Sequence, residues 1–408
     1  MEHIGAEVWL VMAVTQVAED ILFQDSSSKS SCIENSESEE DDLSAVVLSL
    51  LKEDHPKQTG YLAVVTLYSD RNFWRHFRVS RSTFNRMLHY LNVEEFRKEV
   101  CYHGGPEPLT INEMLLMTLQ FLGNQGALRV FADKFGRTES TVHNAVGMVC
   151  QFFFDHQSNF IQMPRSRSDI IYAEAAFQKR SGFPGVVGAL DGSHMTFHPK
   201  KENMKSYQNR LQYCSFVLMA IVQADRQFSY TFVGSPGKNH DSFIWKQSSL
   251  QQQLQLNCDL HFDSRKYHLI GDSAFPLTKW CIVPYKRTDG GGQLSRSKKL
   301  FNYKLSSTRI VVEQAFGDLK NRFRRTQDLH QSIDRAVNIV VTSCVLHNIC
   351  IRNGDIKIDG NRAPANCNVN REIFNDPLRG SCNAGVLKRD MLCDQIQPQF
   401  HNRVRAFH

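Results

Sequence analysis

Several features are missing from this chain, and each absence narrows its possible roles. No Cys-x-x-Cys pair occurs among its 11 cysteines. Neither a zinc ribbon nor the disulfide framework of a secreted domain is indicated, and reduced thiols in cytosol or nucleus fit best. No apolar run is long enough to span a bilayer. The most N-terminal one, Val8 to Ala18, carries Thr15 and Gln16 and lacks a basic flank, so the reading is of no signal peptide and no membrane segment. Net charge is also small, +6 at pH 7 over 408 residues. It is unevenly placed: Lys286 to Arg325 holds 11 Lys or Arg against three acids.

What is present is 41% hydrophobic residues, enough for real cores, in a length that accommodates two domains and tails. Ser26 to Asp42 is Ser-rich and ends in a run of acids, so residues 1–58 read as a flexible acidic tail. Helical periodicity follows over 59–160. Ser80 to Thr83 suits a helix N-cap, and Thr110 to Leu122 forms an amphipathic helix ended by Gly123. Within Ala127 to Val146, the residues Ala132, Gly136 and Val142 fall where a helix-turn-helix needs a small contact residue, a turn glycine and an apolar anchor. Arg137, Ser140, Thr141, His143 and Asn144 would then face phosphates or base edges. The same spacing suits a structural helical hairpin equally well.

Past Pro164 the pattern turns to strands, over a region 165–355. Pro184 to Asp191 and His194 to His198 read as strand, turn and strand. Cys214 to Asp225 and Phe228 to Val233 make two more, with a turn at Asp225 to Gln227. Tyr267 to Asp272 is short and wholly apolar before its acid, as a buried central strand should be. A long helix is predicted from about Asn302 to Arg325, with Val312, Ala315, Phe316, Leu319 and Phe323 as its core stripe and Arg309, Glu313 and Lys320 on a neighbouring face. Val337 to Cys350 is a further helix, and 356–408 reads as a loosely folded tail.

Four acids stand in distinctive settings: Asp191 in Gly188-Ala-Leu-Asp-Gly-Ser-His194, Asp241 in Gly237-Lys-Asn-His-Asp-Ser242, Asp272 in Leu269-Ile-Gly-Asp-Ser-Ala-Phe-Pro276, and Glu313 in Arg309-Ile-Val-Val-Glu-Gln-Ala-Phe-Gly317. Any one alone is ordinarily a turn or cap residue. Four at strand ends and on a helix could converge, and oxygen-only ligands select hard ions such as Mg²⁺ or Mn²⁺ over zinc. Two such ions activate a water and stabilise the leaving oxygen of a phosphodiester. The basic stretch, with Lys298, Lys299, Lys320, Arg322, Arg324 and Arg325, would supply phosphate contacts, although charge runs as often simply face water.

These residues resemble a known family, the PIF/Harbinger transposases and the nucleases derived from them. The resemblance covers Tyr61 to Cys350. It is carried by Phe77-Arg-Val-Ser-Arg-Ser-Thr-Phe84, Ala189-Leu-Asp-Gly-Ser-His194, Gly234-Ser-Pro-Gly-Lys-Asn-His-Asp-Ser242, Gly271-Asp-Ser-Ala-Phe-Pro276, Asn302 through Gly317, and Leu346-His-Asn348. Ser193 stands where Thr is common and Ala274 where Gly is common, and neither change removes a ligand. The resemblance implies an α/β, ribonuclease-H-like DDE nuclease core behind a helical, helix-turn-helix-like domain. It places the catalytic acids on Asp191, Asp272 and Glu313 and marks Asp241 as a fourth metal-binding acid. It further implies DNA as substrate, a Myb-like partner protein and a nuclear location, with cytoplasm and a homodimer as additional expectations. The competing expectation is a domesticated DNA-binding or chromatin-associated protein that keeps the fold without cleavage. A small-molecule metal phosphoesterase fits less well, because it needs neither the helix-turn-helix nor the basic stretch.

Overall fold

The computed structural model describes residues 57–99, 109–287, 292–355 and 383–404. The chain divides into two units between Pro56 and Lys57, and the described residues belong to the second. The acidic tail expected over 1–58 lies, apart from its last two residues, outside the described residues.

Among the described residues seven helices come first: α1 (Tyr61–Thr66), α2 (Asp70–Phe77), α3 (Arg81–Leu91), α4 (Glu94–Glu99), α5 (Ile111–Gly123), α6 (Leu128–Phe135) and α7 (Glu139–Asp155). Then comes α8 (Arg167–Ser181). Hydroxyl side chains start most of them. Ser69, Ser80, Thr110, Thr138 and Ser166 each accept a first-turn backbone N–H at 3.1–3.3 Å. Each such cap contributes about 1 kcal/mol. The turn between α6 and α7 needs its glycine twice over. Gly136 has φ +64°, and a Cβ there would lie 2.2 Å from the Gln58 carbonyl oxygen.

The sheet has five strands, β1 (Val186–Thr196), β2 (Ser215–Val222), β3 (Phe228–Pro236), β4 (His268–Ile270) and β5 (Cys281–Ile282), in the order β3-β2-β1-β4-β5. The first three form an antiparallel meander, and β4 and β5 run parallel to β1. Every residue of β2 is buried, which explains its apolar run from Phe216 to Val222. A short α9 (Met204–Tyr207) links β1 to β2, while α10 (Asp241–Gln247) and α11 (Ser249–Asn257) lie between β3 and β4. The long α12 (Arg296–Arg322) crosses β1 and β2, α8 packs on β1, and α13 (Ile333–Arg352) runs along β3. Asn348 joins α13 to that strand's start: its Oδ1 accepts the Phe228 N–H at 2.8 Å, and its Nδ2 donates to the Phe228 and Phe160 carbonyls at 2.7 and 3.0 Å.

The strand, turn and strand expected over 184–198 is instead one 11-residue strand. The Asp191-Gly192 pair does not turn because β2 pairs straight through it, Asp191 opposite Ala220 and Gly192 opposite Met219. The first seven helices and the sheet belong to the same unit. Buried arginines and an α13 face bind them. Arg322 donates to the Arg78 carbonyl at 2.7 Å and pairs with Asp355. Arg325 donates to the Phe121 and Gly126 carbonyls at 3.4 and 2.6 Å, and Thr342 donates to the Cys150 carbonyl at 2.8 Å.

The expectation of a loosely folded C-terminal tail is corrected by α14 (Asn383–Val404). Residues 356–382 and 405–408 lie outside the described residues. Buried Lys388 on α14 donates to the Ser264, Tyr267 and Lys279 carbonyls at 2.7, 2.7 and 3.0 Å, and the Tyr285 hydroxyl donates to Asp390 at 2.6 Å. Leu392, Cys393 and Ile396 join the core. The charged residues that hide this helix from hydropathy reading are the ones that fasten it to the β4–β5 region.

Candidate metal centre

Register alone brings two of the four acids together. Ala189 on β1 pairs with Ile270 on the parallel β4, so Asp191, in the middle of β1, and Asp272, two residues past the end of β4, stand at the same level of adjacent chain segments. Parallel neighbours lie about 4.8 Å apart. Both are almost fully buried, 3% and 8% exposed. The Gly192 N–H donates to Asp191 Oδ1 at 2.9 Å and the Ala274 N–H to Asp272 Oδ1 at 2.8 Å, which fixes one oxygen of each carboxylate.

Asp241 opens α10 and points into the same space. Asp191, Asp241 and Asp272 each offer a carboxylate oxygen within 4.8 Å of the other two. Gly192 makes the approach possible, because a Cβ there would meet Asp241 Oδ1 at 2.9 Å and Val217 at 3.3 Å. Asp241 follows the loop through Gly237 but is itself the first residue of a helix. At an effective dielectric of about 20, two carboxylates at that separation repel by about 3 kcal/mol. Such a cluster calls for cations.

Arg309 is one of them. From α12 its Nη1 donates to Asp191 Oδ2 at 2.5 Å, and its Nη2 donates to Glu313 Oε1 one turn along the same helix. Glu313 is thus not among the three converging aspartates but is tied to Asp191 through one guanidinium. Arg309 was legible only as a neighbour of Glu313 on one helix face; its i, i+4 spacing was the available signal. Lys320, two turns beyond Glu313, donates from Nζ to Ser193 Oγ and the His194 carbonyl, both at 2.8 Å, and so holds α12 against the far half of β1.

The expected DNA-facing residues separate by burial. Arg322 and Arg325 are 5% and 6% exposed and spend their N–H groups on carbonyls inside the protein, which removes them from a DNA-facing set. Burial pushes the Arg325 guanidinium down to about 10. Arg137 is half-buried and pairs with the buried Glu113 carboxylate at 3.0 Å. Thr141 is half-buried beside Thr138, and Lys298 is half-buried against the Tyr285 ring. Ser140, Asn144, Lys299 and Arg324 are exposed. His143 is half-buried, its carbonyl accepting from Arg335 at 2.5 Å.

Comparison with known proteins agrees with this core. Residues 190–348 match the family model described as DDE superfamily endonuclease. An Arabidopsis thaliana protein named ALP1-like is 26% identical over 340 residues, 80% of this chain and 81% of that one. Human HARBI1, whose name proposes a nuclease, is 27% identical over 226 residues, 54% of this chain and 62% of its own. A second Arabidopsis protein, named antagonist of like heterochromatin protein 1, is 22% identical over 342 residues, 81% of each chain. No solved structure matches. Residues 190–348, which hold all four acids, are thus similar to DDE superfamily endonuclease domains, in a chain similar to proteins named for ALP1 and HARBI1.

Proposed function

We propose that this protein is a divalent-metal-dependent DNA endonuclease of Harbinger transposase descent, hydrolysing phosphodiester bonds by a two-metal mechanism. The observation that carries the reading is the convergence of Asp191, Asp241 and Asp272 from three separate elements, with Glu313 one guanidinium away. The sheet order β3-β2-β1-β4-β5, antiparallel over its first three strands and parallel beyond, supports a ribonuclease-H-like core. Asp191, Asp272 and Glu313 are the catalytic acids in this reading, and Asp241 is a further ligand.

The donor set fits Mg²⁺ or Mn²⁺, since carboxylate oxygens alone converge and Gly192 leaves them room. Bound there, the ions supply an activated water and charge neutralisation at the phosphate. The chain's own part is positional. Adjacent β1 and β4 fix the spacing of Asp191 and Asp272, and Arg309 orients Glu313 toward them. Lys320 keeps α12 in register with β1. The exposed Ser140, Asn144, Lys299 and Arg324 are the residues left to meet DNA backbone. A Myb-like partner, a homodimer and a nuclear site of action, with cytoplasm in addition, complete the reading.

Nicking of supercoiled plasmid with Mg²⁺ or Mn²⁺ tests it. The wild-type chain should cut, and Asp191→Asn, Asp272→Asn and Glu313→Gln should each abolish cutting while folded. A wild-type chain that binds plasmid and leaves it intact with either ion favours the second reading, a DNA-binding or chromatin-associated protein without cleavage. The name of the second Arabidopsis relative is what keeps that reading in view.

A further inference from the structure

A second ligand cluster lies away from the four acids, where the chain leaving β1 meets the chain leaving α12. His198 Nε2 is 2.7 Å from Asp328 Oδ1, and His330 Nε2 is 3.1 Å from Asp328 Oδ2. The two imidazoles stack at 4.0 Å between centroids, 6° from parallel. Backbone pairing sets this up. Phe197 and Leu329 form a parallel bridge, the His198 N–H donates to the Leu329 carbonyl at 2.9 Å, and the Leu329 N–H donates to the Thr196 carbonyl at 3.1 Å. Three potential ligands are thus carried on two backbones that are already joined, on side chains exposed enough to turn.

We propose that His198, Asp328 and His330 form a transition-metal site, taking Zn²⁺ or a similar late first-row ion and pinning the end of β1 to the segment between α12 and α13. Two imidazoles and one carboxylate are the donor set of such ions, not of Mg²⁺, and three protein ligands leave a position for water. Ligand bonds of about 2.0–2.1 Å on a tetrahedral ion put ligand atoms about 3.3 Å apart, and one ligand atom from each of the three residues already lies within 4.8 Å of the other two. The parallel rings aim their Nε2 atoms side by side, and a modest rotation of the two exposed side chains makes them converge on one point. Each neutral imidazole needs only to carry its proton on Nδ1 to offer Nε2 to the ion. Because β1 bears Asp191 and α12 bears Glu313, occupancy would also stiffen the frame that spaces the four acids.

The test is titration of the full chain with Co²⁺, followed by its ligand-field absorption, and with Zn²⁺, followed by melting temperature. One Co²⁺ with four- or five-coordinate absorption and a Zn²⁺-dependent rise in melting temperature are expected. Both should survive in Asp191→Asn/Asp272→Asn. Both should be lost in His198→Asn/His330→Asn, and each single histidine variant should bind about tenfold more weakly or worse, at least the loss that removing an outer-sphere partner causes. Far-ultraviolet circular dichroism checks that the exposed-site variants fold. Absorption that persists in the double histidine variant, or vanishes with the two aspartates, overturns the proposal. So does a wild-type chain with neither response, which would leave the cluster a hydrogen-bonded triad.

Discussion

Arg309 is the residue on which the acid cluster turns, because it binds Asp191 and Glu313 at once. Removing one partner of a partly buried charge network typically costs about 3 kcal/mol. Arg309→Ala should therefore lower metal-free stability by that order in urea unfolding, and saturating Mn²⁺ should recover part of the loss by supplying the missing positive charge. Arg309→Lys should fall short of wild type, since one ammonium lacks the fork that reaches both carboxylates. Equal loss with and without Mn²⁺ would mean that Arg309 and the ion do not share these acids.

His347 yields a pH prediction from a different physical source. Burial lowers its imidazole from 6.5 to about 3, while Nε2 faces the Arg226 carbonyl at 3.0 Å. The folded chain withholds a proton that the unfolded chain takes up between those values. Its contribution is whole above about pH 6.5 and falls by about 1.4 kcal/mol per pH unit as acid is added below that. His347→Gln, whose amide keeps a donor for Arg226, should flatten that limb of the stability profile by about one proton. An unchanged slope between about pH 6 and pH 4 would assign the acid sensitivity elsewhere, to His268 or the carboxylates.

At the scale of elements, α6 and α7 are joined by a turn through left-handed Gly136, with Ala132 and Val142 buried, and that arrangement does not decide what their outer face touches. Arg137 is held by buried Glu113, so Arg137→Ala leaves a buried carboxylate unpaired. It should destabilise the chain by about 3 kcal/mol whether or not DNA is present. Asn144 is exposed on α7. Asn144→Ala should leave the melting temperature unchanged and weaken DNA binding by about 1–3 kcal/mol if α7 is a recognition helix. Electrophoretic mobility shift beside thermal unfolding separates the two, and unaltered binding by Asn144→Ala leaves α6 and α7 structural.

For the whole molecule, the unexpected contributor is α14. Deleting residues from 383 onward removes Leu392, Cys393 and Ile396 from the core and strips the Ser264, Tyr267 and Lys279 carbonyls of the Lys388 amine. Burial pushes that amine down to about 7, against the preference of three carbonyl acceptors for its charged form. The shortened chain should melt well below the full one, with local amide exchange rising first around β4 and β5. A melting temperature within error of the full chain would show α14 to be dispensable.

The sequence by itself determined what short-range chemistry dictates. Hydroxyl caps and 3.6-residue stripes placed α3, α5, α6, α7, α12 and α13, unbroken apolar runs placed β2 and β4, and the settings of Asp191, Asp241, Asp272 and Glu313 marked the acids. What only the tertiary structure decided is which polar groups are already taken. A run of Arg and Lys reads alike whether it faces solvent or a buried carbonyl, so Arg322 and Arg325 became internal ties while Arg324, between them, stayed outside. Asp-Gly at 191–192 looks like a turn until β2 supplies partners for it, and Asp241 gains its position from a glycine 49 residues earlier on another strand. These outcomes depend on long-range register and desolvation, which no local window of sequence contains.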